Sequence, residues 1–240
     1  MPASPPTVVL VHGAFADAAG WLGVIDELQR DGVPVLAVAN PLRGLASDAA
    51  YVASVTEQVE GPVVLVGHSY GGALITVAGT AENVVALVYI AALVPEVGES
   101  LAELRDRFGP TPLAGHLKET TYPAGGTRPA ATEVAIRPQA FPEVFAADVP
   151  AAVTKVLAAA QRPLAVAAFE ERATAAAWRT KPSWALVAGT DQVINPEVER
   201  FGAERAGATV VELDGASHAV PVSRPKAVAD LILDAVRATS

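Results

Sequence analysis

Gly67-His68-Ser69-Tyr70-Gly71 lies between the apolar run at 62–66 and the small residues at 72–75. This order predicts a buried strand, a sharp turn and a helix. A serine in so tight a turn takes a positive φ, and the two flanking glycines remove Cβ atoms that would clash. The hydroxyl then stands exposed above a sheet. Because G-x-S-x-G arises by chance in about one chain in twelve of this length, a catalytic interpretation needs partner residues elsewhere.

Composition excludes several classes of protein. The 240 residues, 51 % of them apolar, suffice for one α/β domain with an insertion or for two small domains. A net charge of −9 argues against nucleic acid or an anionic membrane as a partner, since both bind clustered Lys and Arg. The absence of cysteine excludes disulfides, thiolate nucleophiles and Cys-ligated metals. With no basic leader segment and no apolar run of membrane-spanning length, we expect a cytoplasmic protein.

Short apolar, β-branched runs recur along the chain. The stretches between the first four have helical length and composition, which predicts βαβ units and a parallel sheet. The last stretch, 225–238, carries an apolar helical face and predicts a final helix. The predicted strands cover residues 8–11, 33–38, 63–66, 86–91, 184–187 and 209–213.

The alternation of strands and helices stops between residues 95 and 181. Seven prolines fall within 110–150, and no strong strand run appears. Residues 151–161 and 164–177 have helical composition. We therefore predict a core formed by 1–95 and 181–240, with a mainly helical cap inserted at 96–180.

A serine hydroxyl is a weak nucleophile that needs a base, and the base needs an acid to orient it. His218 follows the last predicted strand, in a loop at the carboxyl edge of the sheet, where α/β proteins place their sites. Asp191 leaves the preceding predicted strand through a glycine. An Asx-turn or a helix N-cap is the alternative role for this aspartate. The catalytic candidates are thus Ser69, Asp191 and His218.

Other histidines and acids compete for these roles. His68 adjoins the serine, but neighbouring side chains in a tight turn point apart, so we expect it to pack. His12 lies in the exit turn of the first strand, and His116 has no motif around it. Asp214 lies at the end of the strand that leads into the loop with His218. From that position its carboxylate would have to turn back to reach Nδ1 of the imidazole. Glu96, after the fourth run, is a weaker candidate.

Acyl transfer also needs donors for the developing oxyanion, and one well-placed N–H lowers the barrier by about 3–4 kcal/mol. The N–H of Tyr70 is one candidate. We expect Ala14, in the turn after the first strand, to supply the other, with Phe15 as the alternative. Large apolar side chains either line an acyl pocket or form the core of the cap. These are Phe15, Phe141, Phe145, Leu157 and Phe169.

Four segments, 9–14, 64–72, 190–194 and 215–218, resemble the α/β-hydrolase superfamily. More narrowly, they resemble the branch that holds plant salicylate-binding-type methyl esterases, hydroxynitrile lyases and small bacterial esterases. Residues 161–163 and 198–201 also fit this branch. The resemblance spans nearly the whole chain and is weakest at 99–150. It implies the α/β-hydrolase fold, the chain order Ser, Asp, His, and no metal or organic cofactor.

Differences from particular members of the superfamily argue against their activities. Gly13 and Ala219 stand where the hydroxynitrile lyases carry threonine and lysine, which disfavours the lyase activity. Ser69 stands where dehalogenases and epoxide hydrolases carry aspartate, which disfavours their chemistry.

The sequence therefore predicts a serine hydrolase that cleaves a small carboxylic ester through an acyl-serine intermediate, without a cofactor. The alternatives are a receptor-like ligand-binding protein with slow or single turnover, a perhydrolase or acyltransferase, and a lactonase. The partner is a small-molecule ester in the first case, and the motifs define neither its acyl group nor the oligomeric state.

Overall fold

A computed structural model of the protein describes residues 5–126 and 129–240. The strands are β1 (Thr7–Val11), β2 (Val35–Val38), β3 (Val63–His68), β4 (Val84–Ile90), β5 (Leu117–Tyr122), β6 (Ala131–Ile136), β7 (Leu164–Ala165), β8 (Ser183–Ala188) and β9 (Thr209–Leu213). The helices are α1 (Leu22–Arg30), α2 (Leu45–Glu57), α3 (Tyr70–Ala78), α4 (Leu101–Asp106), α5 (Phe141–Val144), α6 (Ala151–Ala160), α7 (Ala167–Glu170), α8 (Pro196–Arg205), α9 (Val220–Ser223) and α10 (Pro225–Ala238). Short 3-10 helices cover Ala18–Trp21, Pro112–His116 and Ala177–Arg179.

Six parallel strands form the central sheet, in the order β2-β1-β3-β4-β8-β9. All six predicted strands are present, and helices connect them as expected. The chain passes from β1 to β2 on one side and then returns to place β3 on the other side of β1. Such a reversal opens a crevice beyond the carboxyl ends of the two strands, where α/β sheets bind ligands. Here the crevice lies between the turns after β1 and β3.

The sheet is buried on both faces, because its central strands are continuous apolar runs. In β1, Val8 and Leu10 pack into one hydrophobic cluster, while Val9 and Val11 pack into the other. All four side chains are fully buried. β1 is therefore packed on both faces, between two layers of helices. This packing also fixes the position of the turn that follows the strand.

The region 96–180 contains a second sheet that the sequence pattern did not predict. Its strands β5, β6 and β7 are antiparallel. β5 was missed because its residues, such as Lys118 and Glu119, are polar and exposed rather than apolar.

Helices occupy part of this region as expected. The predicted helix at 151–161 is confirmed as α6, but the predicted helix at 164–177 is wrong. Leu164 and Ala165 pair with β6 instead, and only Ala167–Glu170 is α-helical there.

Residues 1–4, at the start of the predicted core, and 127–128, in the predicted cap, lie outside the described part of the chain. The division into a core at 1–95 and 181–240 and a cap at 96–180 stays a prediction. In the part of the chain that is described, no helix has the length and apolarity needed to cross a membrane.

Close backbone contacts explain the glycines around the serine. A Cβ on Gly67 would lie 2.4 Å from the carbonyl oxygen of Gly71. A Cβ on Gly71 would lie 2.4 Å from the carbonyl oxygen of Val11, on the neighbouring strand. Gly13 is equally confined, with Ser69 Cβ 2.6 Å from the place of its missing side chain. The turns after β1 and β3 therefore approach each other more closely than any residue with a Cβ atom would allow.

We expect Gly71→Ala to lower the free energy of unfolding by about 1–3 kcal/mol or more, because the backbone of β1 or α3 must move to admit the methyl group. Urea unfolding followed by circular dichroism measures the change. Gly115→Ala is the matched control, since nothing lies within 4 Å of its Cβ position, and its stability should stay within about 0.5 kcal/mol. Equal stability of Gly71→Ala and the unaltered protein would contradict the packing described.

Candidate active site

Ser69 lies at the junction of β3 and α3 with φ 57° and ψ −121°, in the left-handed region that side chains rarely adopt. Backbone hydrogen bonds hold this conformation, from Ser69 N to the carbonyl of Ile90 at 3.1 Å and from Leu93 N to the carbonyl of Ser69 at 3.2 Å. The neighbouring strand and the loop after it thus fix the strained turn. The predicted strand, sharp turn and helix around the serine are all present.

His218 and Asp191 are in direct contact. The Nδ1 of His218 lies 2.5 Å from Oδ2 of Asp191, and both side chains are fully buried. The N–H at Nδ1 donates to the carboxylate, which leaves Nε2 as the acceptor atom of the ring. Nε2 is buried and has no hydrogen-bond partner among residues 5–126 and 129–240. The base and the acid of the predicted set are therefore brought together, with an unpaired nitrogen on the base.

Asp191 fills both of the roles that its sequence position allows. Its Oδ1 accepts the backbone N–H groups of Val193 and Ile194, at 2.7 and 2.9 Å, which is the Asx-turn alternative. Its Oδ2 faces the imidazole. The competing acids lie elsewhere, since Asp214 is exposed and Glu96 pairs with Arg179 at 2.9 Å.

His68 packs against the loop after β9, which carries His218. Its Nε2–H donates to the backbone carbonyl of His218 at 2.9 Å, and the two rings are 4.7 Å apart. Burial, followed by the proximity of His218, lowers the pKa of His68 well below 6.5. A neutral ring at this position can both pack and donate, so His68 ties the end of β3 to the loop after β9. His116 lies away from these residues, in the 3-10 helix Pro112–His116.

The turn after β1 is anchored by a residue of the predicted cap. His12 Nδ1 hydrogen-bonds the carbonyl of Gly13 at 2.8 Å, and burial lowers its pKa to about 4. Arg162 Nη1 donates to the carbonyl of Asn40 at 3.0 Å and lies 3.4 Å from Nε2 of His12. The carbonyl of Arg162 accepts the N–H of Phe15 at 3.0 Å. Sequence reasoning noted residues 161–163 but missed this anchoring role.

Two cavities flank Phe15. The first is lined by Ser69 and Tyr70, together with Ala14 and Phe169. The second is lined by His68, among other residues. Of the predicted pocket residues, Phe141, Phe145 and Leu157 line this second cavity, and Phe15 lines both. Phe141 and Phe145 also pack into the hydrophobic core, so the two interpretations of these side chains coexist.

A second buried acid adjoins Asp191. Glu199 of α8 is 3 % exposed, and its Oε2 accepts the N–H of Ala188 at 2.9 Å. Burial, and next the negative charge of Asp191, raise the pKa of Glu199 well above 4.5. The N–H of Ala188 and the charge of Arg200 oppose this shift without cancelling it. The raised pKa favours the protonated form of Glu199 beside Asp191, and its Oε1 has no hydrogen-bond partner within residues 5–126 and 129–240.

Sequence reasoning missed this role of Glu199. The available signal was its place on the buried face of α8, beside Val198 and one turn before Gly202.

Residues 8–231 match the model of the alpha/beta hydrolase family. The match covers nearly the whole chain and agrees with the sheet order and the serine turn. The chain belongs to the alpha/beta hydrolase family.

Individual proteins are also similar. A probable hydrolase, R7, from Phoma sp. is 33 % identical over 111 residues, which are 40 % of this chain and 46 % of that protein, so the matched part spans about half of its length. The crystal structure of polyneuridine aldehyde esterase superposes with a TM-score of 0.83 at 21 % identity, covering 97 % of this chain and 99 % of that one. A methylesterase, MES16, from Arabidopsis gives 0.77 at 18 % identity, with 97 % and 99 % covered. At these identities the solved structures show the shared fold.

Glu199→Gln tests the protonated state of the buried acid. Above about pH 4.5, Glu199 loses its proton in the unfolded chain but keeps it in the folded protein, because folding raises its pKa. The free energy of unfolding of the unaltered protein therefore falls as the pH rises towards the raised pKa. Glutamine has no such proton. We expect its stability advantage to grow from about pH 5 to about pH 8, by at most about 1.4 kcal/mol per pH unit.

Urea unfolding of both proteins at several pH values measures this difference. Glu197→Gln, an exposed acid two residues away, is the control and should show a difference that does not grow with pH. A constant or shrinking advantage of Glu199→Gln would show that Glu199 is ionised in the folded protein.

Proposed function

We propose that the protein is a serine hydrolase that cleaves small carboxylic esters through an acyl-serine intermediate. One observation carries the proposal, the fully buried contact between His218 Nδ1 and Asp191 Oδ2 at 2.5 Å, at the same sheet edge as the strained serine. Its family and the esterase and hydrolase names of the similar proteins favour the same activity. The proposed catalytic residues are Ser69, Asp191 and His218.

The proposed mechanism follows from the two ring nitrogens. Asp191 holds Nδ1–H, so Nε2 of His218 accepts the proton of Ser69 as its oxygen attacks the acyl carbon. The imidazolium then returns this proton to the departing alcohol, and an acyl-serine remains. Water, deprotonated by the same Nε2, attacks the acyl carbon and releases the acid and free Ser69. Each proton taken by the ring is given back within the cycle.

The proposed oxyanion hole uses the N–H groups of Ala14 and Tyr70. Tyr70 begins α3, so its N–H has no carbonyl one turn earlier in the helix. Its hydroxyl donates to Asp48 at 2.9 Å, which fixes the residue. Phe15, the alternative donor, already gives its N–H to the carbonyl of Arg162. Among the described residues none accepts the N–H of Ala14, which favours Ala14 over Phe15.

The two cavities on either side of Phe15 suit a substrate with two parts. The cavity that contains Ser69 is lined mostly by apolar groups and would hold one part of the ester. The cavity beside His68 would hold the other, among Phe141, Phe145 and Leu157 of the proposed cap. A small organic ester of this kind matches the apolar lining, which buries hydrocarbon better than charge.

Substitutions at the proposed triad should abolish turnover of nitrophenyl esters while the fold remains. We expect Ser69→Ala to reduce kcat by about 10⁴-fold or more. Asp191→Asn should reduce kcat by about 10⁴-fold, because the amide favours the wrong tautomer of His218. Steady-state kinetics with circular dichroism measures both effects.

Asp214→Asn is the matched control, since Asp214 is exposed and precedes the same loop. Its kcat/KM should stay within about twofold of the unaltered protein. Turnover by Ser69→Ala at the original rate, or an equal loss in Asp214→Asn and Asp191→Asn, would contradict the assignment.

A further inference from the structure

One charged side chain enters the cavity that contains Ser69. Most of its lining is apolar, including Leu93, Leu113, Leu164, Val193 and Ile194. The hydroxyl of Tyr70 is already bonded to Asp48. The exception is Arg105, which comes from α4.

The packing of α4 directs Arg105 inward. Leu101 and Leu104 are fully buried, and Arg105 lies on the same helical face because residues at i, i+3 and i+4 are neighbours. Ser100 and Glu103 form a capping box that fixes the start of the helix. The guanidinium lies 5.4 Å from the ring centre of Phe169, which lines the same cavity. The helix thus holds a cation beside the nucleophile's cavity.

Arg105 has no anionic partner, unlike the arginines around it. Arg107 and Arg205 pair with Glu99 at 2.8 and 2.5 Å, and Arg172 pairs with Glu103. In residues 5–126 and 129–240 no carboxylate lies within 4.0 Å of a guanidinium nitrogen of Arg105, and none of its guanidinium N–H groups has an acceptor. In a chain of net charge −9, acids for such a pair are abundant, yet none faces this cavity.

The half-buried guanidinium of Arg105 has lost part of its hydration without gaining a hydrogen-bond partner. Burial lowers the pKa of Arg105, which reports the loss of water around the charge. The charge of Asp106 opposes this shift without cancelling it, and the ring of Phe169 adds a cation–π contact. A guanidinium presents two parallel N–H donors that match both oxygens of a carboxylate, so a carboxylate ligand would restore the missing interaction.

We propose that Arg105 binds a carboxylate of the substrate, so that the preferred esters carry a free carboxylate in the part of the molecule remote from the scissile bond. This inference rests on the proposed ester hydrolysis at Ser69 and names its substrate class. Half-esters of dicarboxylic acids have this chemistry. The apolar residues that line the same cavity as Ser69 and Arg105 then contact the hydrocarbon that joins the two carbonyl groups.

The test compares matched esters. Nitrophenyl half-esters of adipic and suberic acid are compared with nitrophenyl hexanoate and octanoate, which have the same chain lengths without the charge. We expect the unaltered protein to have a higher kcat/KM for the half-esters. Arg105→Met should lower this value by about tenfold to a hundredfold, the size of a charge-assisted hydrogen bond, and change the neutral esters by less than about threefold.

Three further variants control the comparison. Arg105→Lys keeps the charge without the planar fork and should retain part of the preference. Arg105→Gln replaces Arg105→Met if the latter does not fold. Arg107→Met removes the same charge two residues further along, where the side chain is 51 % exposed and does not line the cavity, and should leave the preference unchanged. An equal loss for charged and neutral esters in Arg105→Met would show a structural role and overturn the proposal.

Binding separates this proposal from ester hydrolysis itself. Calorimetry with the Ser69→Ala protein compares monomethyl adipate with methyl hexanoate, and tighter binding of the half-ester that is lost in Ser69→Ala/Arg105→Met supports the carboxylate site. Equal or weaker binding of the half-ester overturns it. Labelling of Ser69 by a phosphonate tests the hydrolase independently, so labelling without half-ester preference leaves only the proposed hydrolase standing.

Discussion

The contact between the turns after β1 and β3 is the constraint on which the rest of the site depends. Gly71 lies against the backbone of Val11, and Gly13 lies against Ser69 itself. These approaches leave no room for a side chain, so the sheet register and the serine conformation are fixed together. The same contact brings Ala14 and Ser69 to the lining of one cavity. The proposed catalytic geometry thus depends on how β1 and β3 pair.

The carboxylate of Asp191 accepts hydrogen bonds from two different parts of the site. Asp191 shapes its own loop through Val193 and Ile194 and holds the ring of His218 with its other oxygen. The pKa of the neighbouring Glu199 is raised by burial and by the charge of Asp191. The protonated form of Glu199 adds no charge here, whereas its ionised form would place a second negative charge beside a buried carboxylate. Asp191 therefore both orders the loop after β8 and holds the charge that faces His218.

The sequence predicted what depends on local pattern. The bounds expected for the last strand, β9, and the last helix, α10, coincide with those observed. The strands of the second sheet were missed, because β5 has polar, exposed residues rather than an apolar run. Glu199 and Arg105 were missed for a different reason. Both are charged residues on buried helical faces, and only the packed structure shows that one lies beside Asp191 and the other lines the cavity with Ser69.

The central claim, that Ser69 becomes acylated with His218 as its base, is tested most directly by trapping the intermediate. The protein is mixed with a slowly deacylating nitrophenyl ester, quenched with acid, and weighed intact by mass spectrometry, and the adduct is located by peptide mapping. The account predicts one acyl group, carried by the peptide that contains Ser69, and greatly slowed acylation in His218→Ala. An adduct on another residue, or full-rate acylation without His218, would contradict it.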